Sequence, residues 1–161
     1  MSIDFIHLCV HSEFSLIDGL CRHKALMKQL EKLHYPSIAI TDKCNLFGMI
    51  RYYKQALANR VKPIIGTEVD ILHPDSDDPD TVLLLCQTNT GYRHLTELIS
   101  KGYLEGIRQD VPLLNAQWLT AEAVDGLIMI AKGHKSNIGR ALLSGDTDSA
   151  ATHFPIGSTF S

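Results

Sequence analysis

The chain contains no run of lysines or arginines, no Cys-x-x-Cys pair and no apolar stretch of bilayer length. The first absence excludes a nucleic-acid groove built from a basic patch: with a net charge of −3, this is not a surface that grips DNA by counterion release. The second excludes a zinc ribbon and a thioredoxin-type redox centre, and leaves Cys9, Cys21, Cys44 and Cys86 as free thiols of a reducing compartment. The third excludes a membrane-spanning helix. The N-terminus carries Asp4 and lacks the basic and long apolar regions of a secretory signal, so the cytoplasm is the expected location. What is present is 161 residues, 45% hydrophobic and 20% charged, the composition of an ordinary globular protein with a core of its own.

The most informative stretch runs from Phe5 to Leu20. Phe5, Ile6, Leu8 and Val10 are strand formers, and alternation along a strand places His7, Cys9 and His11 on one face. Asp18-Gly19 reads as a turn that swings a carboxylate back towards His11. His7 is expected in the interior, hydrogen-bonded.

From Cys21 onwards helix and strand patterns alternate. Leu26, Met27, Leu30 and Leu33 recur at helical spacing, and Tyr35-Pro36 ends that helix. Residues 37–41 form a short apolar strand with Asp42 at its carboxyl end. Asn45 is placed to cap a second helix whose inward face is Leu46, Ile50, Tyr53 and Leu57. A third strand spans 62–72. His73 to Asp80 reads as a solvated acidic turn without the central Gly and terminal Glu of a calcium loop. Residues 82–86 are a fourth strand and 126–131 a fifth, with a helix opening at Thr90-Gly91 between them. Asn115 caps a short helix containing Trp118, and the last helix spans 138–143, stopped by Gly145. Gly133-His-Lys-Ser136 lacks the glycine and lysine order of a phosphate-binding loop.

Apolar strands separated by amphipathic helices predict a parallel sheet, open or closed into a barrel, with its site beyond the carboxyl ends of the strands. His11, Asp42 and Glu68 fall at or near such ends, and Asp18 lies in the loop after the first.

Taken together, His7-Leu-Cys-Val-His11-Ser-Glu-Phe-Ser-Leu-Ile-Asp18-Gly19, Ala39-Ile-Thr-Asp42, Asn45-Leu-Phe-Gly48, Pro63-Ile-Ile-Gly66-Thr-Glu68 and Asn89-Thr-Gly-Tyr92 make a linked series. In this order they resemble the PHP (polymerase and histidinol phosphatase) domain at the N-terminus of bacterial DNA polymerase III alpha subunits. The resemblance implies a distorted seven-stranded β/α barrel, of which the chain would supply about five strand–helix units. Residues 1–145 would be an incomplete PHP domain and 146–161 a divergent, poorly ordered tail of a truncated product, its open sheet edge favouring association.

The resemblance also implies a rim of metal ligands: His11, Asp18 and Glu68 stand in ligand positions. Cys9 replaces a histidine, Lys43 stands where a Thr-Asp-His motif has its histidine, and Thr81 takes a further histidine position. A thiolate still binds zinc, but an ammonium group donates only and repels a cation. Lys43 is therefore expected to substitute for metal by pairing with Asp18, Asp42 or Glu68. No bound cofactor is expected from this set, or zinc, manganese or magnesium if the site still works. Two functions follow from the resemblance. One is a scaffold of a replicative polymerase that meets the proofreading exonuclease subunit and other replication subunits, itself incapable of nucleotidyl transfer. The other is a metal-dependent phosphoesterase or exonuclease.

Overall fold

The computed structural model describes residues 5–16, 18–74 and 78–152. Its first segment, 5–11, is extended but is not a strand of the sheet. It lies along one edge, where the His7 and Val10 carbonyls accept the backbone N–H groups of Ala39 and Thr41 at 2.9 Å each. The expected first strand is thus a strap with few ladder bonds, and Phe5 and Leu8 stay exposed on it. His7 is exposed as well, stacked on Tyr35 and edge-on to Phe5, so its expected interior place is corrected.

Helix α1 (His23–Leu33) buries Met27 and Leu30 and turns its lysines to solvent. It ends at His34, whose left-handed backbone closes the last turn ahead of Pro36. Strand β1 (Ser37–Ile40) is buried throughout. Helix α2 (Met49–Ala58) buries Tyr52 and Ala56, and not the expected Ile50, Tyr53 and Leu57. The reason is local: the Tyr52 hydroxyl donates to the Ile38 carbonyl of β1, and small Ala56 lets the helix approach. Asn45 does not cap this helix. Its amide donates to the Phe14 and Lys43 carbonyls, and its oxygen accepts the Phe47 N–H, shaping the turn before α2.

Strands β2 (Lys62–Leu72) and β3 (Asp80–Cys86) follow, then helix α3 (Asn89–Glu105), capped by the Thr88 hydroxyl. A small hairpin, β4 (Ile107–Arg108) with β5 (Val111–Pro112), precedes β6 (Leu114–Asn115) and a 3-10 turn capped by Asn115. Strand β7 (Leu127–Ala131), helix α4 (Asn137–Leu143) and helix α5 (Thr147–Thr152) complete the described residues. Helix α5 occupies part of the stretch expected as a tail, and 153–161 lie outside the described residues.

The sheet has the order β1-β2-β3-β7, with β6 beside β2. It is mixed, not parallel: β1 and β6 pair parallel with β2, but β3 is antiparallel to both β2 and β7. The short acidic connection between β2 and β3 is the physical cause, because a parallel return needs a crossover of a dozen residues or more. Strands β1, β2 and β7 still run in one direction, so their carboxyl ends share a rim. The sheet does not close into a barrel. One cluster of buried residues packs α3 on Val69, Ile71, Val82 and Leu84, and a second joins α1, α2 and β1 around Tyr52 and Ile38.

A candidate metal-site remnant filled by ammonium groups

Register decides which side chains meet. Pairing of β1 with β2 continues one bridge past Ile40, which sets Lys43 beside Glu68. Asp70 lies opposite Thr81 on β3, and the Lys132 N–H donates to the Thr81 carbonyl. Glu68, Asp70, Thr81, Lys43 and Lys132 therefore share one face of the sheet. The two lysines cross. Lys43, level with Glu68, reaches Asp70 at 3.1 Å, while Lys132, level with Asp70, bonds Glu68 Oε2. The expected partners of Lys43 are thus corrected: its ammonium pairs with Asp70, a residue the sequence reading passed over. The amine at Glu68 is Lys132. It is the first residue beyond β7, and the strand-end rule applied to Asp42 would have found it.

Cys9 and His11 come from the edge strap. His11 Nε2 lies 3.1 Å from Glu68 Oε2 and its Nδ1 3.2 Å from Asp18 Oδ1. Cys9 Sγ lies 4.0 Å from the same Glu68 oxygen. With both ring nitrogens facing carboxylates, the hydrogen bond to Glu68 raises the His11 pKa above 6.5 against the opposing effect of burial. Burial pushes the Glu68 carboxyl up, but the hydrogen bonds and charges of His11 and Lys132 outweigh it and hold the group at about 2.

Asp42 has a different task. It is buried, and its two oxygens accept from the Ser12 N–H and hydroxyl and from the Ser15 hydroxyl, so it pins the strap to β1. It does not face the ion pairs. Thr81 donates to Asp70 at 2.7 Å and so adds to the holding of that carboxylate. Asp80, expected in a solvated turn, is buried in β3 and accepts from Arg140 and the Asn137 N–H.

Cys9, His11 and Glu68 bring one thiol, one imidazole and one carboxylate within 4.8 Å of one another, a donor set of the kind zinc takes. As placed, each of the three already has a polar neighbour. Both ring nitrogens of His11 face carboxylates, so a metal would compete with Asp18 and Glu68 for them. The oxygen of Glu68 that faces the other two ligands already carries the Lys132 ammonium. Three carboxylates (Asp18, Glu68, Asp70) meet two ammonium groups (Lys43, Lys132) and the His11 ring, which bridges Asp18 and Glu68.

Open-sheet topology with acids and one histidine at a shared strand-end rim makes the chain a mixed α/β domain with a candidate metal site. Residues 7–154 match the family model of the PHP domain, and the chain belongs to that family. Its curated relatives include the DNA polymerase III subunit alpha of Pseudomonas fluorescens, 39% identical over 147 residues, and that of Vibrio cholerae, 42% identical over 143. The alignments cover 91% and 88% of this chain but only 12% of each relative. A solved amidohydrolase from Chromobacterium violaceum superposes with a TM-score of 0.48 at 16% identity, over 60% of this chain and 32% of that one. No helix among the described residues is long and apolar enough to cross a membrane.

Proposed function

We propose that this chain is a non-catalytic PHP scaffold of the kind that begins a replicative polymerase alpha subunit, in which ammonium groups have replaced metal ions. The observation that carries the reading is the crossed pairing of Lys43 with Asp70 and Lys132 with Glu68, which neutralises the two acids most central to the rim. Two unit charges about 4 Å apart interact by ~4 kcal/mol at an effective dielectric near 20, so each ammonium opposes entry of a second cation. Cys9, His11, Asp18 and Glu68 are then a vestigial ligand set, with Asp42, Lys43 and Thr81 as residues that shape it. The partners in this reading are replication subunits, the proofreading exonuclease among them, and the compartment is the cytoplasm.

Elemental analysis of the purified chain tests it. Zinc and manganese should fall well below one equivalent, and Lys132→Ala should raise zinc uptake by freeing Glu68. Stoichiometric metal in the parent protein would defeat the proposal.

The donor set of Cys9, His11 and Glu68 supports one second reading, a metal-dependent phosphoesterase. Bound metal would there polarise a phosphate and activate water, while Glu68 and His11 would hold it. Phosphatase activity with added manganese that vanishes in Glu68→Gln would favour this reading over the scaffold.

A further inference from the structure

Helix α2 carries an apolar stripe that nothing among the described residues covers. Ile50, Tyr53 and Leu57 stand at i, i+3 and i+7 on its outer side and are 64%, 45% and 55% exposed, because the helix is turned inward on Tyr52 and Ala56. Phe47, in the turn leading into the helix, is 67% exposed. Residues at this spacing form one line on a helix surface, the geometry by which a second helix is gripped. One flank of the line is basic: Arg51 and Lys54 are exposed beside it, and Arg60 and Lys62 follow at the far end. Between Asp42 and Glu68 the sequence holds no acidic residue at all. Both of those carboxylates are buried and engaged elsewhere, Asp42 with Ser12 and Ser15, Glu68 with His11 and Lys132. Among the described residues no carboxylate pairs with Arg51, Lys54, Arg60 or Lys62; the Arg51 guanidinium lies 5.7 Å from the centre of the Phe14 ring. A protein of net charge −3 thus concentrates unpaired positive charge along this apolar helix stripe.

We propose that the outer face of α2 is a docking site for an acidic amphipathic helix of a partner protein. The partner would place apolar side chains at i, i+3 or i+4, and i+7 against Ile50, Tyr53 and Leu57, with aspartates or glutamates along one margin facing Arg51 and Lys54. Tyrosine and arginine beside aliphatic residues supply the anchors that dominate such contacts. Opposite charge along the margin sets orientation and speeds encounter. The site deepens the scaffold reading and rests on it in expecting a protein partner. It shares no residue with the rim, so metal analysis tests the one and peptide binding the other.

The experiment is selection from a displayed library of helical peptides, using the full 161-residue chain as bait. Enriched peptides should be acidic on one flank of an apolar stripe. Ile50→Asp with Leu57→Asp should weaken their binding at least about tenfold, and Arg51→Gln with Lys54→Gln should weaken it and remove its salt dependence. These side chains are exposed, so the variants should melt with the parent; the paired neutralisations keep the test valid if the aspartates do not fold. Enrichment of basic or neutral peptides, no enrichment, or binding indifferent to both pairs of substitutions overturns the proposal. So does tighter binding, through these same residues, of mixed-sequence single-stranded DNA or of phosphatidylserine vesicles.

Discussion

Glu68 and the two histidines His11 and His23 behave oppositely because of what faces their polar atoms. His11 is held between Glu68 and Asp18, and its pKa is raised. His23 begins α1 and is buried against the rings of Phe14 and Tyr52. Neither of its nitrogens has a hydrogen-bond partner among the described residues, and burial lowers its pKa. The signs follow from linkage. The His11 contribution is complete below its unfolded value of 6.5 and is lost as pH rises through its higher folded value. The His23 ring must stay neutral, so acidification below 6.5 destabilises the fold until its lower folded value is passed. The Glu68 contribution is present above 4.5 and lost as pH falls towards about 2; that shift corresponds to at most ~3 kcal/mol, shared with His11 and Lys132. A histidine NMR titration should place His11 above 6.5 and His23 below it. Glu68→Gln should return His11 towards 6.5 and leave His23 unmoved; a His11 resonance titrating below 6.5 in the parent would contradict the ion network.

At the scale of elements, the joint between α3 and β7 is among the tightest. Gly91, in the first turn of α3, lies so close to Gly126 that an added Cβ would sit 1.9 Å from its carbonyl oxygen. That carbonyl also accepts the Gln87 and Thr88 N–H groups, so it has no freedom to retreat. Gly91→Ala should therefore destabilise by ~1–3 kcal/mol, read by chemical denaturation, as overpacking does in general; an unchanged midpoint would show that α3 shifts freely. Helices α1 and α3 and strands β1, β2, β3 and β7 were legible from their apolar patterns, with Pro36 marking the end of α1 and Thr90-Gly91 the first turn of α3. The strap at 5–11 was not, because strand-forming residues specify extended backbone without saying whether a ladder forms. The face of α2 was missed since two apolar sets compete there, and a tyrosine bond to the Ile38 carbonyl decides between them. Of the candidate site, Cys9, His11, Asp18 and Glu68 were expected together because of the family resemblance, and the structure brings Cys9, His11 and Glu68 within reach of one another with Asp18 beside His11. Asp70 and Lys132 were passed over, although strand alternation from Glu68 and the end of β7 point to them; what the sequence does not show is their crossed pairing, which the register of β3 between β2 and β7 sets.

For the molecule as a whole, β2 is the member that joins two cores. Its first half carries Ile65 to the cluster of α1, α2 and β1, where Ile38 and Tyr52 are almost fully buried. Its second half carries Val69 and Ile71 to the cluster under α3, centred on Leu84 and Leu95. The parallel ladder from Ser37 to Ile40 and the antiparallel ladder from Gly66 to Ile71 use the same eleven-residue strand. The crossed ion pairs tie the flanks across it, Lys43 from the β1 side and Lys132 from beyond β7. Neither cluster can then open without stripping one edge of β2, which predicts a single cooperative transition. Ile38→Val and Leu84→Ala lie in different clusters, and each should lower that one transition, by ~1 kcal/mol and ~2–5 kcal/mol respectively. The resolved NMR ring signals of Tyr52 report the first cluster, and tryptophan fluorescence the second, through Trp118 packed against it. The two signals should move together in both variants under denaturant; separate midpoints in either one would mean that β2 does not couple the halves.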